Sequence, residues 1–263
     1  MKIYIPEEIQ KLIKDETYTV DDVGMSESTV ILLQDKVLKI QPDNEETRNE
    51  HDMMVWLQDK LPVPKVLGFV IEGEKNYLLM SRMPGKMSCD EVYMEKPQQL
   101  AEALARALQM LWQVDVSDCP AVFDLNKKLE MARYNVENGL VDLDNVEPET
   151  FGEGGFANPQ ALLDWLIANR PKEERVLVHG DFCLPNIFLQ DGRVSGFIDI
   201  GKTGIADKWQ DIALCYRSLC HNYQGDYGGK VYEDFDPAIL FEKLGIEPDW
   251  EKIRYYILMD ELF

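Results

Sequence analysis

Three oxygen-bearing side chains within residues 176–204, VLVHGDFCLPNIFLQDGRVSGFIDIGKTG, have the types and spacing that phosphoryl transfer requires: Asp181, Asn186 and Asp199. A Mg²⁺–nucleotide takes hard oxygen ligands, one or two from protein and the rest from phosphates and water. Asn186 and Asp199 are suited to that role. A separate carboxylate must orient the attacking hydroxyl and accept its proton, the part open to Asp181. His179 is a rival base, but packing and hydrogen bonding within the loop is the favoured reading, because kinases use an aspartate. One Asp or Asn here would be ordinary turn and capping chemistry. Three at the spacing HGDxxxxN followed by IDxG exceed it.

The elements that must position these groups are legible around them. Val176–Val178 reads as a short buried strand running into His179. A second strand spans Asn186–Gln190, Asp191-Gly192 is a hairpin turn signal, and the chain returns over Arg193–Asp199. With a two-residue turn, Gln190 pairs with Arg193 and Asn186 lies opposite Phe197, with Asp199 projecting just beyond.

A nucleotide side is visible upstream. In the strand Val37-Leu38-Lys39-Ile40, alternation puts Val37 and Lys39 on one face and Leu38 and Ile40 on the other. Lys39 beside a core-type valine needs an anionic neighbour. Glu50 heads an apolar stripe with Met53, Met54 and Leu57 on a helix expected over 45–60, and a carboxylate there should be paired. Lys39 would hold the phosphates while Glu50 holds Lys39, as in protein kinases. The loop Gly24–Ser28 carries one glycine, so it is neither a Walker nor a GxGxxG loop, yet its amides and the Ser26 hydroxyl suit phosphates. The segment Met80-Ser81-Arg82-Met83 ends a strand at a hinge, where main chain would read an adenine edge and Val37 would pack on the ring.

The rest of the pattern is β-rich first and helical afterwards. Strands are expected at 28–33, 36–41, 65–71 and 75–82, and helices at 97–114, 124–139, 159–169, 208–222, 237–244 and 249–260. This predicts an α+β bilobal protein hinged near 81–85, with a nucleotide-binding lobe over 1–83 and a catalytic, substrate-binding lobe over 84–263.

Composition narrows the partners. The 263 residues carry 27 Lys and Arg against 48 Asp and Glu, a net charge of −21, which disfavours nucleic acid and anionic membrane and favours a cationic partner. Five scattered cysteines fit reduced thiols better than a disulfide framework. The start MKIYIPEEIQ has acids where a secretory signal needs an apolar stretch, and no run approaches a membrane span, so a cytoplasmic location is expected.

These residues resemble the aminoglycoside 3′-phosphotransferases, a family within the wider protein-kinase-like fold. The matching segments are GMS at 24–26, LKI at 38–40, DMMVWLQDKLPVPKVL at 52–67, LLMS at 78–81 and VSDCP at 116–120. They continue with HGDFCLPNIF at 179–188, GRVSGFIDIGKTG at 192–204, ADKWQDIALCYRSL at 206–219 and PDWEKIRYYILMDELF at 248–263. The resemblance implies an ATP- and Mg²⁺-dependent kinase, with GTP an alternative nucleotide, that phosphorylates a hydroxyl of a cationic antibiotic. It implies Asp181 as the catalytic aspartate, Asn186 and Asp199 on Mg²⁺, and Lys39 with Glu50 on the phosphates. Met25 and Ser26 would belong to the nucleotide-positioning loop, and Ser81 and Met83 to the adenine hinge. Asp260, Glu261 and the terminal carboxylate of Phe263 would meet the drug's ammonium groups, and Glu147, Glu149 and Glu153 lie near a substrate lid. Two departures bear on the drugs accepted: Phe182-Cys183-Leu184-Pro185, where relatives often have a further polar or acidic residue, and Lys202, where an arginine is usual. Asp207, Asp211 and Arg217 read as braces of the catalytic loop. Competing readings are a kinase for a macrolide, choline-like amine or sugar, and a non-catalytic nucleotide binder. The oligomeric state is left open.

Overall fold

The computed structural model describes residues 3–14, 16–21, 28–147, 149–233 and 235–263. Met25 and Ser26 lie outside the described residues. The chain has the expected α+β bilobal form, a small sheet-based lobe followed by a larger, mostly helical one.

The amino-terminal lobe contains α1 (Glu7–Ile13), β1 (Thr19–Asp21), β2 (Thr29–Leu32), β3 (Lys36–Pro42), α2 (Glu45–Leu57), β4 (Val66–Glu72) and β5 (Lys75–Ser81). Its strands form one antiparallel sheet in the order β1-β2-β3-β5-β4. Alternation assigns the two faces as expected. Leu38 and Ile40 join Ile31, Tyr77 and Leu79 in a core closed by Ile9 and Ile13 of α1. Val37, Leu78 and Met80 face the other way, with Met53, Met54 and Leu57 of α2, and merge with the core of the second lobe. The helix α1 was not anticipated; its seven residues are too few for a periodic signal.

A capping box starts α2: Thr47 N donates to Asn44 Oδ1 at 2.9 Å and Asn44 N to Thr47 Oγ1 at 3.1 Å. The helix stops at Leu57 rather than 60. Gln58 turns extended, and its amide donates to Met54 O at 3.1 Å and Pro64 O at 3.0 Å, fastening the chain to the proline-rich segment that follows.

The second lobe contains β6 (Lys86–Met87), α3 (Glu91–Met94), α4 (Pro97–Trp112), α5 (Leu125–Asn138), α6 (Pro159–Ala168), β7 (Arg175–Val178), β8 (Ile187–Gln190), β9 (Arg193–Phe197), β10 (Gly204–Asp207), α7 (Lys208–Gln224), α8 (Ile239–Leu244) and α9 (Trp250–Asp260). Its strands form two small sheets, β7 with β10 and β6-β8-β9. All five cysteines are free thiols. Among the described residues no helix is long and apolar enough to cross a membrane.

Candidate active site

The loop bearing Asp181 hangs from a buried strand end. β7 pairs antiparallel with β10, Val178 opposite Gly204, and Leu177 and Val178 are fully buried. The chain then turns sharply at Gly180, whose φ is +89°; a Cβ there would stand 2.0 Å from Lys202 O, so only glycine fits. Asp211 of α7 secures this turn from below, accepting from His179 N at 2.6 Å and Gly180 N at 3.0 Å. Burial pushes the Asp211 carboxyl up to about 6, against the pull of His179 and the two amides. Asp211→Asn keeps the shape but turns an amide N–H₂ toward one of those donors. A buried donor left unsatisfied costs about 1–3 kcal/mol, and urea unfolding should register a loss of that size.

His179 is fully buried and spent on structure. Its Nε2–H donates to Ile198 O at 2.9 Å, while Nδ1 accepts from Asp181 N at 3.3 Å. Neither ring nitrogen is free to serve as a base.

The β8–β9 hairpin departs from the expected register. Gln190 faces Arg193, and Asp191 and Gly192 both adopt positive φ, 53° and 73°, as a tight two-residue turn requires. Leu189 then faces Val194, but Phe188 faces Gly196 and Ile187 faces Phe197. Asn186 is therefore not opposite Phe197; its carbonyl accepts from Ile198 N at 3.0 Å. Ser195 is the extra residue. It leaves the ladder, and its hydroxyl donates to Pro84 O at 2.7 Å, tying the hairpin to the segment that follows β5. The bulge sets Asn186 level with the residue before Asp199.

Asn186 Nδ2 donates to Asp181 O and to Asp181 Oδ2, both at 3.0 Å. That orientation leaves Asn186 Oδ1 as the atom for a cation, and with the Asp199 carboxylate it makes a hard-oxygen pair that fits a magnesium ion carried by phosphates. The Cys183 thiol, 3.1 Å away, donates to Asp181 Oδ1.

Across the cleft, Lys39 Nζ donates to both Glu50 oxygens at 3.0 Å and to Asp199 Oδ1 at 2.7 Å. Gln41, on the same strand face as Lys39, donates from Nε2 to Glu50 Oε2 at 3.0 Å. It was missed in the sequence, although the two-residue period marks its face. Burial works against the Lys39 ammonium, yet Glu50 and Asp199 outweigh it and hold its pKa above the ordinary lysine value. Burial pushes the Glu50 carboxyl up, with Lys39 and Gln41 opposing. Burial also raises Asp199, but Lys39 more than compensates and leaves it below the usual carboxylate range.

At the end of β5, Val37 faces Met80 across β3 and β5. Ser81 is committed to the sheet edge: its N–H donates to Lys65 O at 2.9 Å, and its hydroxyl accepts from Lys65 N at 2.9 Å. Arg82 N likewise donates to Asp35 O at 2.9 Å. Met83 packs on β9, where a Cβ at Gly196 would stand 2.5 Å from its Cε.

The acids expected near the substrate divide into two groups. Asp260 and Glu261 are ion-paired with Arg217, the Nη1–Oε1 distance to Glu261 being 3.1 Å. Arg217 thus pairs with the acids of the chain end, and its guanidinium also lies close to Cys183 of the catalytic loop. Glu261 is nearly buried and its second oxygen accepts from Glu147 N at 2.8 Å. The Glu147 carboxylate meets His221 Nε2 at 2.7 Å. By contrast Glu149 and Glu153 are exposed. The Phe263 ring lies 5.6 Å from Lys128 Nζ, and Leu262 is fully buried, so this chain end is anchored. Burial pulls the Lys202 amine down, but Asp260, Glu46, Asp181 and Asp199 outweigh it and raise it overall, so its amine lies among these acids. Lys128, missed in the sequence, is pushed down to about 8 by burial and by Lys202. Asp207 caps α7 through Trp209 N at 3.3 Å and accepts from Tyr256 OH at 2.8 Å.

Residues 17–256 match the phosphotransferase enzyme family, APH. An aminoglycoside 3′-phosphotransferase of Enterococcus faecalis is 40% identical, over 100% of this chain and 99% of that protein. One of Staphylococcus aureus is 39% identical, over 100% and 99%. Among solved structures, the aminoglycoside phosphotransferase APH(3″)-Id of Streptomyces rimosus superposes with a TM-score of 0.81 at 25% identity, covering 97% of this chain and 95% of that one. The same enzyme has also been solved in complex with ADP and streptomycin. The chain belongs to the phosphotransferase enzyme family, and within it to the aminoglycoside 3′-phosphotransferases.

Proposed function

We propose that this enzyme transfers the γ-phosphoryl group of magnesium-bound ATP to the 3′-hydroxyl of an aminoglycoside in the cytoplasm, inactivating the antibiotic. The observation that carries the reading is the Lys39 ammonium held at once by Glu50 of the first lobe and Asp199 of the second. That is a phosphate-binding cation placed beside a metal-binding carboxylate. The complex of the Streptomyces rimosus enzyme with ADP and streptomycin supports both ligand classes.

In this reading the lobes divide after Met83. Val37, Met80 and Met83 bound the adenine site, and Met25 and Ser26 serve the phosphates. Since Ser81 N–H and hydroxyl are already engaged, its part in adenine recognition falls to its carbonyl and to Met83. Asn186 Oδ1 and Asp199 would hold the magnesium ion, which supplies charge neutralisation on the phosphates. Asp181, steadied by Asn186 and Cys183, accepts a hydrogen bond from the acceptor hydroxyl and then takes its proton as the new O–P bond forms and the β,γ-bridging bond breaks. Catalysis is mostly positioning and charge stabilisation. Glu149, Glu153, Asp260 and the Phe263 carboxylate face the drug's ammonium groups, with Lys202 limiting where a cation can sit. Glu147 and Glu261 form the wall behind them, through His221 and Arg217.

The test is a phosphate-transfer assay across aminoglycosides with and without a 3′-hydroxyl, with ATP or GTP as donor. Turnover confined to drugs bearing that hydroxyl is the expected result. Absence of turnover with every aminoglycoside would end the substrate assignment.

A further inference from the structure

Asp199 sits in an unusual backbone state whose support comes from a residue with no place in the reaction so far. Its φ is +58°, in the left-handed region, which a non-glycine residue keeps only when its surroundings hold it there. The side chain is half exposed and turned to Lys39, so the carboxylate does not anchor its own loop. Upstream the anchor is the hairpin: Ile198 N donates to Asn186 O at 3.0 Å, and Ile198 O accepts from His179. Downstream the anchor comes from the other lobe. Asn49 of α2 donates from Nδ2 to Gly201 O at 2.8 Å and to Thr203 O at 3.0 Å. Thr203 is fully buried and its hydroxyl donates to His179 O at 2.8 Å, so the bond made by Asn49 reaches the Asp181 loop as well.

The contact is built for close approach. A Cβ at Gly201 would stand 2.9 Å from Glu46 Cγ and 3.1 Å from Glu46 O, so glycine lets the loop come against the α2 backbone. One turn earlier on the helix, Glu45 Oε1 pairs with Lys127 Nζ of α5 at 3.2 Å. The helix α2 therefore carries, at consecutive positions, the amide that holds the Asp199 loop and the carboxylate that holds Lys39.

We propose that Asn49 is a positioning residue for Asp199, setting the carboxylate where a magnesium ion on the nucleotide phosphates requires it. A primary amide suits the task because two carbonyl oxygens converge on one group that must donate twice. The inference rests on the phosphotransfer reading above.

The test is calorimetric titration of the non-hydrolysable analogue AMP-PNP, in EDTA and across a magnesium series. The variants are Asn49→Asp, which sets a carboxylate against both carbonyls, and Asn49→Ser, which keeps one donor. Partners that orient a metal ligand are worth roughly 10–100-fold in metal affinity. Asn49→Asp should accordingly raise the half-saturating Mg²⁺ concentration about tenfold, with affinity in EDTA unchanged. Asn49→Ser should raise it less, and Gly201→Ala, which forces the loop off Glu46, should move it in the same direction. If Asn49→Asp does not fold, the comparison rests on Asn49→Ser and Gly201→Ala. An unchanged magnesium requirement in folded variants overturns the proposal. So does an equal loss in EDTA and magnesium, which would place the effect of Asn49 in Lys39 and Glu50 instead. An unaltered protein that binds the analogue without any magnesium enhancement would sink the metal assignment itself.

Discussion

Asp181→Asn is expected to retain fold and nucleotide affinity while kcat falls by about 10²–10⁴, the usual contribution of a positioned general base. The asparagine is nearly isosteric, and its carbonyl oxygen can still accept from Asn186 Nδ2, which now meets Asp181 Oδ2 at 3.0 Å. What it cannot do is take the hydroxyl proton. Asp181→Ala should cost at least as much, because it also leaves Asn186 Nδ2 with only the backbone carbonyl of residue 181. Thermal unfolding and AMP-PNP binding separate these losses from misfolding. His179 offers no substitute base, since both its nitrogens are committed within the loop. Turnover surviving in both variants would place the base elsewhere.

Lys39→Met should destabilise the enzyme by about 3–5 kcal/mol, the range for removing one partner of a buried ion pair. Glu50 is 2% exposed, and both its oxygens rest on the Lys39 ammonium. Without that ammonium the carboxylate keeps only the Gln41 amide. Its folded pKa then rises further above the unfolded value, so the native state binds the extra proton. Stability of Lys39→Met should therefore increase as pH falls through the folded Glu50 pKa and decrease as pH rises through it. Adding Glu50→Gln removes the stranded charge. The double variant should recover most of the lost stability and lose the pH dependence, yet remain inactive, because no lysine ammonium positions the phosphates. Urea unfolding at several pH values, with turnover assayed in parallel, checks both halves. A double variant as unstable as the single one would show that Lys39 contributes packing and not charge compensation.

The parts of the site legible in the sequence are those governed by local rules. The two-residue period assigned Lys39 to a face with Val37, and the helical period put Glu50 on the buried stripe of α2. The Asp191-Gly192 turn correctly paired Gln190 with Arg193. The error began at Ser195, where a contact with Pro84 far away in sequence pulled one residue out of the ladder. No strand pattern encodes that. The same holds for Ser81, whose N–H and hydroxyl oxygen are both engaged by the Lys65 backbone, and for Arg217, whose partners lie more than forty residues away at the chain end.

By itself, then, the order of residues determined the α+β division, the sheet faces, and the identities of the acids and amide able to serve phosphoryl transfer, since each depends on spacing within one element or one turn. Only tertiary structure decided which of those groups meet. Whether Lys39 reaches Asp199, whether Glu261 faces a drug or an arginine, and what holds Asp199 in a left-handed conformation all depend on how two lobes dock. Docking depends on shape, burial and the pairing of polar groups far apart in the chain, none of which has a period to read.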